Sequence, residues 1–353
     1  MRLQLTIALL LVAAPAHAQV ADQEAGTGDV ASSLAMYADS DKTTVVTTVV
    51  AGSVRLPQPV VIDAHALVDA VSSASVDVVS AATARFTENR VELGSTARIG
   101  LAPASEATLG YTHSGENDWQ SHAVELGYSH DLAHKNAKLS IGYGFTRNDV
   151  GRAHDPTFER RLDVQGAQLG LAQVAGKRTL VTVAYTLAYA SGYQGSPYRF
   201  ITSAAFSAPE SPPEARTRHA LTARVLHVIG RANTLDAQYR FYLDDWGIMS
   251  HTLELAFTRE LATAWSLRVR ARGYRQREAS FYQETYAMPM RYMTEDRELS
   301  TFWDAMAGLK LGYAGESWDL EAKTDAIVYR FEDYARLRGR VAIVSGLGVT
   351  WRW

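Results

Sequence analysis

Charged side chains alternate with small or apolar ones in two segments near the C-terminal end of the chain. In the first segment Arg268, Arg270 and Arg272 are separated by single residues. The charged members of the second segment are Asp319, Glu321, Lys323 and Asp325. Because side chains of a β-strand point alternately to its two faces, each set shares one face of its strand. Such rows can screen a charged or dipolar solute, or neutralise one another as an internal salt-bridge network.

Three further groups have the residue types of metal ligands. Asp63, His65 and Asp69 share one face of a candidate strand, and imidazole with carboxylate can bind a divalent metal or relay a proton. Segment 154–159 carries a histidine and two acids with the same chemistry in a loop. Segment 288–293 carries three methionines, whose thioethers suit a soft metal such as Cu(I), although methionine more often fills gaps in packing.

Motifs for catalysis and cofactor binding are absent from the sequence. It has no nucleophile motif of the G-x-S-x-G kind, no glycine-rich phosphate loop and no dinucleotide fingerprint. We therefore expect no cofactor and no enzymatic activity. The alternative is a hydrolase whose His, Ser or Asp residues come together only in the fold, at the rim of a membrane barrel.

Composition limits the classes of protein that need be considered. The chain has 353 residues, of which 47% are hydrophobic and 21% charged, so it is globular rather than disordered. A net charge of −3 argues against binding of nucleic acid through its phosphates. The absence of cysteine excludes disulfides, thiol nucleophiles and cysteine-ligated zinc.

The N-terminal segment has the features of an export signal. Arg2 is followed by an apolar stretch over residues 3–12, and Ala16-His17-Ala18 matches a cleavage site of the A-x-A type. We therefore expect a signal peptide over residues 1–18, cleavage near Ala18 and a flexible leader over residues 19–30. No later run of about 18 apolar residues could form a transmembrane helix.

From residue 31 onward the apolar pattern has a period of two, which is typical of β-strands. Its segments are about 9–14 residues long, as tilted membrane strands are. The predicted strands are 31–38, 43–56, 60–71, 89–101, 106–114, 118–130, 137–148, 161–174, 178–190, 217–229, 233–243, 248–260, 264–275, 299–313, 317–330 and 340–353. Their number is about sixteen, or fourteen if the first hairpin is not part of the sheet.

Connections and tryptophans favour a membrane barrel over a soluble β-sandwich. Short and long connections alternate, as in an up-and-down barrel with periplasmic turns and external loops. The seven tryptophans lie at or near predicted strand ends, where indoles favour the membrane interface. The last segment alternates up to Trp353, which resembles the insertion signal of outer-membrane barrels. We therefore predict an all-β, antiparallel, transmembrane β-barrel over residues 31–353, in contact with outer-membrane lipid and with the barrel-insertion machinery.

The cost of placing arginine in lipid, roughly 2–4 kcal/mol at the membrane midplane, fixes the direction of the faces. The predicted lumen-lining residues are Arg268, Arg270, Arg272, Asp236, Arg240, Asp319, Glu321, Lys323 and Asp325. The long connection 276–298 could fold inward and constrict the lumen, or form an ordered external loop. The residues of this candidate constriction are Tyr286, Met288, Met290, Arg291 and Tyr292.

Several sequence blocks resemble one bacterial family. They are the segment Tyr239–Trp246, the segment Met288–Tyr292, the segment Ser191–Arg199 and the tripeptide Tyr37-Ala38-Asp39. The chain resembles, from about residue 31 to residue 353, the outer-membrane family catalogued as domain of unknown function 3570. The resemblance implies an outer-membrane barrel and brings no substrate or catalytic residue with it.

The expected function follows from strand number and charge. A barrel of about sixteen strands is wide enough for an aqueous channel, so we expect a porin-like channel or transporter for small solutes. The alternative is a structural or interaction barrel whose lumen is filled by salt bridges and whose external loops contact a partner. In either case the expected location is the bacterial outer membrane.

Overall fold

Sixteen strands close into one antiparallel barrel. The computed structural model describes residues 26–73, 86–203 and 205–353, so the predicted signal peptide lies outside the described residues. The barrel strands are β1 (Gly28–Asp39), β2 (Thr43–Arg55), β3 (Val60–Ser73), β4 (Phe86–Ala102), β5 (Ser105–Gly115), β6 (Trp119–Leu132), β7 (Ala137–Val150), β8 (Arg160–Gly176), β9 (Thr179–Gly192), β12 (Ala215–Ile229), β13 (Asn233–Asp244), β14 (Met249–Glu260), β15 (Trp265–Gln276), β16 (Phe302–Ala314), β17 (Trp318–Phe331) and β18 (Gly339–Arg352).

Each predicted strand corresponds to one barrel strand, and the first hairpin belongs to the barrel. β1 pairs with β2 on one side and with β18 on the other, from Asp29 opposite Arg352 to Asp39 opposite Ala342. This pairing rules out the fourteen-strand alternative. β1 begins at Gly28, so the last residues of the predicted leader are part of the barrel.

Two small elements in the long connections were not predicted. β10 (Phe200–Thr202) and β11 (Ser207–Pro209) form a hairpin within the connection from β9 to β12. A 3₁₀ turn, Arg297–Leu299, is capped by Asp296 in the connection from β15 to β16. Both elements are shorter than the window over which hydrophobic periodicity can be recognised.

The outer surface of the barrel is apolar. On β15, Val269 is 46% exposed, and its ladder neighbours Phe257 and Leu309 are exposed beside it. Aromatic rings gather at the short-turn end, where Trp351 packs against both Trp318 and Trp353. This distribution is that of a barrel with an apolar band bordered by aromatic residues. No helix among the described residues is both long and apolar enough to cross a membrane.

Tyrosines near the middle of three strands pair with histidines that lie toward the opposite end of the outer surface. Tyr111 Oη lies 2.8 Å from His122 Nδ1, and the pairs Tyr185–His219 and Tyr239–His251 repeat this contact on two other pairs of neighbouring strands. One prediction about the aromatic residues needs correction. Trp246 is not at the membrane interface: it is 3% exposed, because it packs within the long loops.

Candidate functional site

The inner face of β15 carries the three predicted arginines, and the middle one joins it to β17. Arg270 Nε lies 2.9 Å from Asp325 Oδ1, and Arg270 Nη2 lies 2.6 Å from Asp325 Oδ2. This bidentate pair passes over Gly308 on β16, the strand between them. Arg270 Nη1 also lies 3.8 Å from Glu254 Oε1 on β14. One arginine therefore serves two carboxylates on the luminal surface.

The other two arginines of the row have partners that the sequence pattern did not link to them. Arg268 Nη2 donates to Asp236 Oδ2 at 3.1 Å, and Arg224 on β12 binds the same carboxylate through two bonds of 2.8 Å. Arg272 Nη2 donates to Asp304 Oδ1 at 2.8 Å. Arg224 and Asp304 were not among the predicted lumen residues. Their positions in the alternating patterns of β12 and β16 could have identified both residues as inward-facing.

The remaining predicted lumen residues also lie on the inner face. Asp319 pairs with Arg352 at 2.8 Å, and Glu321 pairs with Lys310. Arg240 and Lys323 have no ion-pair partner in the part of the chain that the structure describes. The Arg240 guanidinium instead lies 5.3 Å from the centroid of the Tyr242 ring.

The arginine row and the acidic row are close neighbours on the luminal surface. These rows lie only two strands apart, and Arg270 and Asp325 neutralise each other between them. A larger opposition exists across the barrel, since β14 and β4 lie half-way around the strand order from one another. It involves two sets of inward-facing residues, which we call the arginine-rich wall and the acidic wall.

The arginine-rich wall has seven arginines and four carboxylates on β12–β15: Arg216, Arg218, Arg224, Arg240, Arg268, Arg270, Arg272, Asp236, Asp244, Glu254 and Glu260. The acidic wall has seven carboxylates and two arginines on β3–β6: Asp63, Asp69, Glu88, Glu92, Glu106, Glu125, Asp131, Arg90 and Arg98. The first wall therefore has an excess of positive charge, and the second has an excess of negative charge. Such an arrangement produces an electric field across the lumen.

The predicted metal ligands on β3 point to the lumen but bind different partners. Asp63 accepts bonds of 2.8 and 3.0 Å from Arg98, and His65 Nε2 lies 3.3 Å from Glu92 Oε1. Asp69 accepts a bond of 2.5 Å from the Thr47 hydroxyl and lies 3.7 Å from Arg90. The structure therefore does not bring these three side chains together around one point.

The other two candidate metal groups are also dispersed. Asp155 accepts bonds from the amide and hydroxyl groups of Thr157, which lower the pKa of the Asp155 carboxyl. Met293 is buried, whereas Met288 and Met290 are exposed. Among the described residues, acids with metal-ligand spacing gather at one place, Glu88, Glu116 and Asp118.

The connection from β15 to β16, residues 277–301, is an ordered layer built on its neighbours. Tyr286 is buried against Ile201 and Met293, and Ser211 and Met293 exchange backbone hydrogen bonds of 2.9 and 3.1 Å. Tyr282 packs in a second cluster that includes Trp246. Of the candidate constriction residues, Tyr286 is thus part of a buried cluster. The others, Met288, Met290, Arg291 and Tyr292, are exposed.

Buried ion pairs connect this layer to distant parts of the rim. Arg199, in the β9–β12 connection, lies 3.1 Å from Glu210 and 2.7 Å from Asp296. Arg297 is fully buried and lies 2.6 Å from Asp41 in the β1–β2 turn. The strand pattern did not predict these ion pairs, because loops have no periodicity and ion pairs between them depend on three-dimensional contact.

Burial also affects ionisation within the loop layer. Burial of Glu210 raises the pKa of its carboxyl, and the neighbouring Asp296 adds to this effect, while Arg199 opposes it. Burial likewise raises the pKa of Glu295, against the opposing charge of Arg336 at 2.7 Å. The loop layer is therefore a place where carboxylates can hold protons at higher pH than usual.

Solved structures with a similar fold are outer-membrane proteins. The siderophore receptor PirA from Pseudomonas aeruginosa matches with a TM-score of 0.51 and 9% identity, over 92% of this chain and 62% of the receptor. A bacterial polysaccharide outer membrane secretin matches with a TM-score of 0.55 and 10% identity, over 94% of this chain and 100% of that chain. CdiB from Acinetobacter baumannii matches with a TM-score of 0.56 and 7% identity, over 94% of this chain and 61% of that chain.

The chain spans less than two thirds of the length of PirA and CdiB. At these identities the likeness shows the fold, which is that of outer-membrane barrels. No curated protein matches the sequence. A family model described as a protein of unknown function, DUF3570, matches residues 152–346, a range that contains three of the four blocks behind the resemblance and leaves out Tyr37-Ala38-Asp39. Because this match covers more than half of the chain, the protein belongs to the DUF3570 family.

Proposed function

We propose that this barrel is an outer-membrane channel for small solutes. The observation that carries the proposal is the pair of opposed walls in the lumen, one rich in arginine and the other in carboxylates. A lumen filled by side chains would bury the surplus arginines of one wall and the surplus carboxylates of the other. Burial of charged groups without partners is costly, so the surplus favours a lumen that contains water. A water-filled passage solvates such groups and lets their field act on a solute.

The field across the lumen supports selection by charge distribution rather than by size alone. A solute with separated positive and negative groups can align with the field, whereas an apolar solute gains nothing from it. The strand number supports a channel as well, because porins of sixteen to eighteen strands enclose an aqueous channel.

The alternative is a closed barrel that presents its loops to a partner. The buried pairs Arg199–Asp296 and Arg297–Asp41 favour it, because they fix the long loops to one another and to the β1–β2 turn. We regard this loop layer as the rim of the channel. Its effect on the passage of solutes can be measured. A hydrolase at the rim is the remaining alternative, and assays for lipid and peptide hydrolysis would identify it.

Conductance across a planar bilayer tests the proposal. The mature protein is refolded, and heat-modifiable gel mobility establishes that the barrel has formed. Discrete current steps that grow with salt concentration are expected for a channel. A folded, inserted barrel without current would contradict the proposal and favour the interaction barrel.

Two partners belong to the same proposal. The apolar outer band fits membrane lipid, and the C-terminal strand that leads to Trp353 fits the barrel-insertion machinery of the outer membrane. The signal peptide over residues 1–18 would direct the chain across the inner membrane before insertion.

A further inference from the structure

Two arginines of the arginine-rich wall differ from the others in having no carboxylate partner. Arg218 lies on β12 and Arg240 on β13, and no ion pair of either is found among residues 26–73, 86–203 and 205–353. By contrast, Arg216 on the same wall makes two hydrogen bonds to Asp244. The Nε atom of Arg218 is buried without a hydrogen-bond partner. A guanidinium in this position retains its capacity to bind an oxyanion.

Tyr242 lies between these two arginines. On the β12–β13 ladder, Arg218 is opposite Asp244, Tyr242 is opposite Ala220, and Arg240 is two residues further along β13. Arg218 and Tyr242 are thus diagonal neighbours on one face, and the Arg240 guanidinium is 5.3 Å from the Tyr242 ring centroid. The two arginines face the lumen on either side of one aromatic ring.

The surroundings hold this arrangement in place on the side of the long loops. Tyr242 donates a hydrogen bond of 2.6 Å to Asp244, which also accepts from Arg216. The Tyr242 ring packs against the buried cluster that contains Trp246 and Tyr282. Tyr242 is therefore held in place from the side of the long loops. Arg218 and Arg240 retain N–H donors for a ligand.

We propose that Arg218, Arg240 and Tyr242 form a luminal binding site for an oxyanion, carried by a solute with a carboxylate or phosphoryl group. Planar guanidinium groups bind both kinds of oxyanion through paired N–H donors. An anion between the two arginines would supply the ion-pair contact that neither of them makes among the described residues. The proposal deepens the proposed channel function, on which it rests for the access of solutes to the lumen.

Binding of inorganic phosphate and of citrate tests the site directly. Isothermal titration calorimetry is carried out on the refolded full-length mature barrel in detergent at low salt, where electrostatic binding is least screened. Replacing either arginine, by Arg218→Gln or Arg240→Gln, is expected to weaken binding at least tenfold. The matched control is Lys323→Gln, which removes another luminal cation on β17 and is expected to leave affinity unchanged. Equal weakening in all three variants would overturn the site in favour of general attraction to the lumen.

A second measurement needs no variant, so a folding defect cannot obscure the result. Phenylglyoxal modifies free arginines, and mass spectrometry reports the extent at each position. Phosphate is expected to protect Arg218 and Arg240 and to leave Arg275, on the outer face, unprotected. Unchanged modification of Arg218 and Arg240 in the presence of phosphate would overturn the proposal.

The two proposals fail in distinguishable ways. Phosphate binding that depends on Arg218 and Arg240, together with a silent bilayer, would retain the site and reject the channel. Current steps that phosphate does not affect, together with no arginine protection, would retain the channel and reject the site. If both proposals are correct, phosphate should reduce or partly block the current, and Arg240→Gln should abolish this effect of phosphate.

Discussion

The carboxylate of Asp325 and the guanidinium of Arg270 meet over the backbone of Gly308. The two bonds of the pair, 2.9 and 2.6 Å, connect β15 to β17 and bypass β16. The space above Gly308 is filled by the pair itself, since a Cβ atom added there would collide with Asp325 Oδ1. A glycine is required at this position because two charged side chains cross it, and its φ angle plays no part.

Gly308→Ala should therefore destabilise the barrel. The new methyl group pushes Asp325 away from Arg270, and a buried charged group that loses its partner costs about 1–3 kcal/mol. Urea titration of the refolded barrel, followed by heat-modifiable mobility, measures the change. The matched control is Gly273→Ala on β15, where an added Cβ meets no atom within 4 Å. Equal stability of both variants would mean that the pair does not depend on the space above Gly308.

Val269→Arg should impair membrane insertion, whereas Arg270→Leu should not. Val269 is exposed on the outer face, where an arginine costs about 2–4 kcal/mol at the membrane midplane. The chain has no cysteine, so single cysteines at positions 269 and 270 report the faces without background. A lipid-borne quencher should reach a fluorophore at position 269, and a water-soluble thiol reagent should reach position 270. The reverse pattern would show that the faces are assigned the wrong way round.

Asp325→Asn should shift the selectivity of the channel toward anions. The substitution removes the charge that neutralises Arg270, while the side chain keeps its size and one hydrogen-bond acceptor. The reversal potential in a salt gradient is the measurement, and Asp163→Asn, in an exposed pair with Arg147 outside the luminal walls, is the control. An unchanged reversal potential for Asp325→Asn would show that ions do not pass near Arg270.

The loop layer should become less stable as the pH rises above the ordinary range of a glutamic acid. The folded-state pKa of Glu210 is raised, so the folded loops bind this proton more tightly than the unfolded chain does. Its contribution to stability is complete below about pH 4.5, the ordinary pKa of the group, and is lost as the pH rises through the folded-state value. Arg199, Asp296, the Thr294 hydroxyl and the Ser196 amide face the same carboxylate.

Hydrogen exchange of residues 193–214 and 277–301 at several pH values measures this effect. Faster exchange at pH 8 than at pH 5, after correction for the intrinsic pH dependence, is expected. Glu210→Gln should reduce the difference, because the amide cannot ionise. Glu284→Gln, in the same layer, serves as the control. A difference that persists in Glu210→Gln would assign the pH dependence to another group, with Glu295 the next to replace.

Trp353→Ala should slow assembly of the barrel in the membrane more than Trp318→Ala does. Both rings pack against Trp351, but only Trp353 is at the end of the last strand. If the terminal residue is read by the insertion machinery, the effect should be a slower appearance of heat-modifiable barrel in cells. Refolding into pure lipid should be affected equally by the two substitutions. Equal rates of barrel assembly for the two variants in cells would show that the insertion machinery does not recognise Trp353.

Periodicity determined the barrel. Alternation of the kind seen at Leu267–Gly273 defines both a strand and its two faces, because successive side chains point in opposite directions and arginine is too costly to place in lipid. For the same reason the predicted lumen-lining residues lie on the inner face in the structure. The pairing of β1 with β18 was not determined by the pattern, because a barrel of fourteen strands without the first hairpin also fitted it.

Only the tertiary structure decided which charges meet. Arg268 shares Asp236 with Arg224, and Arg270 reaches Asp325 over Gly308, because neighbours in space are set by strand order and register rather than by position in the chain. The loop contacts of Arg199 and Arg297 follow no repeat and join segments far apart in sequence. Closure of the sheet also placed the arginine-rich wall opposite the acidic wall, since a face has an opposite side only after the first and last strands have paired.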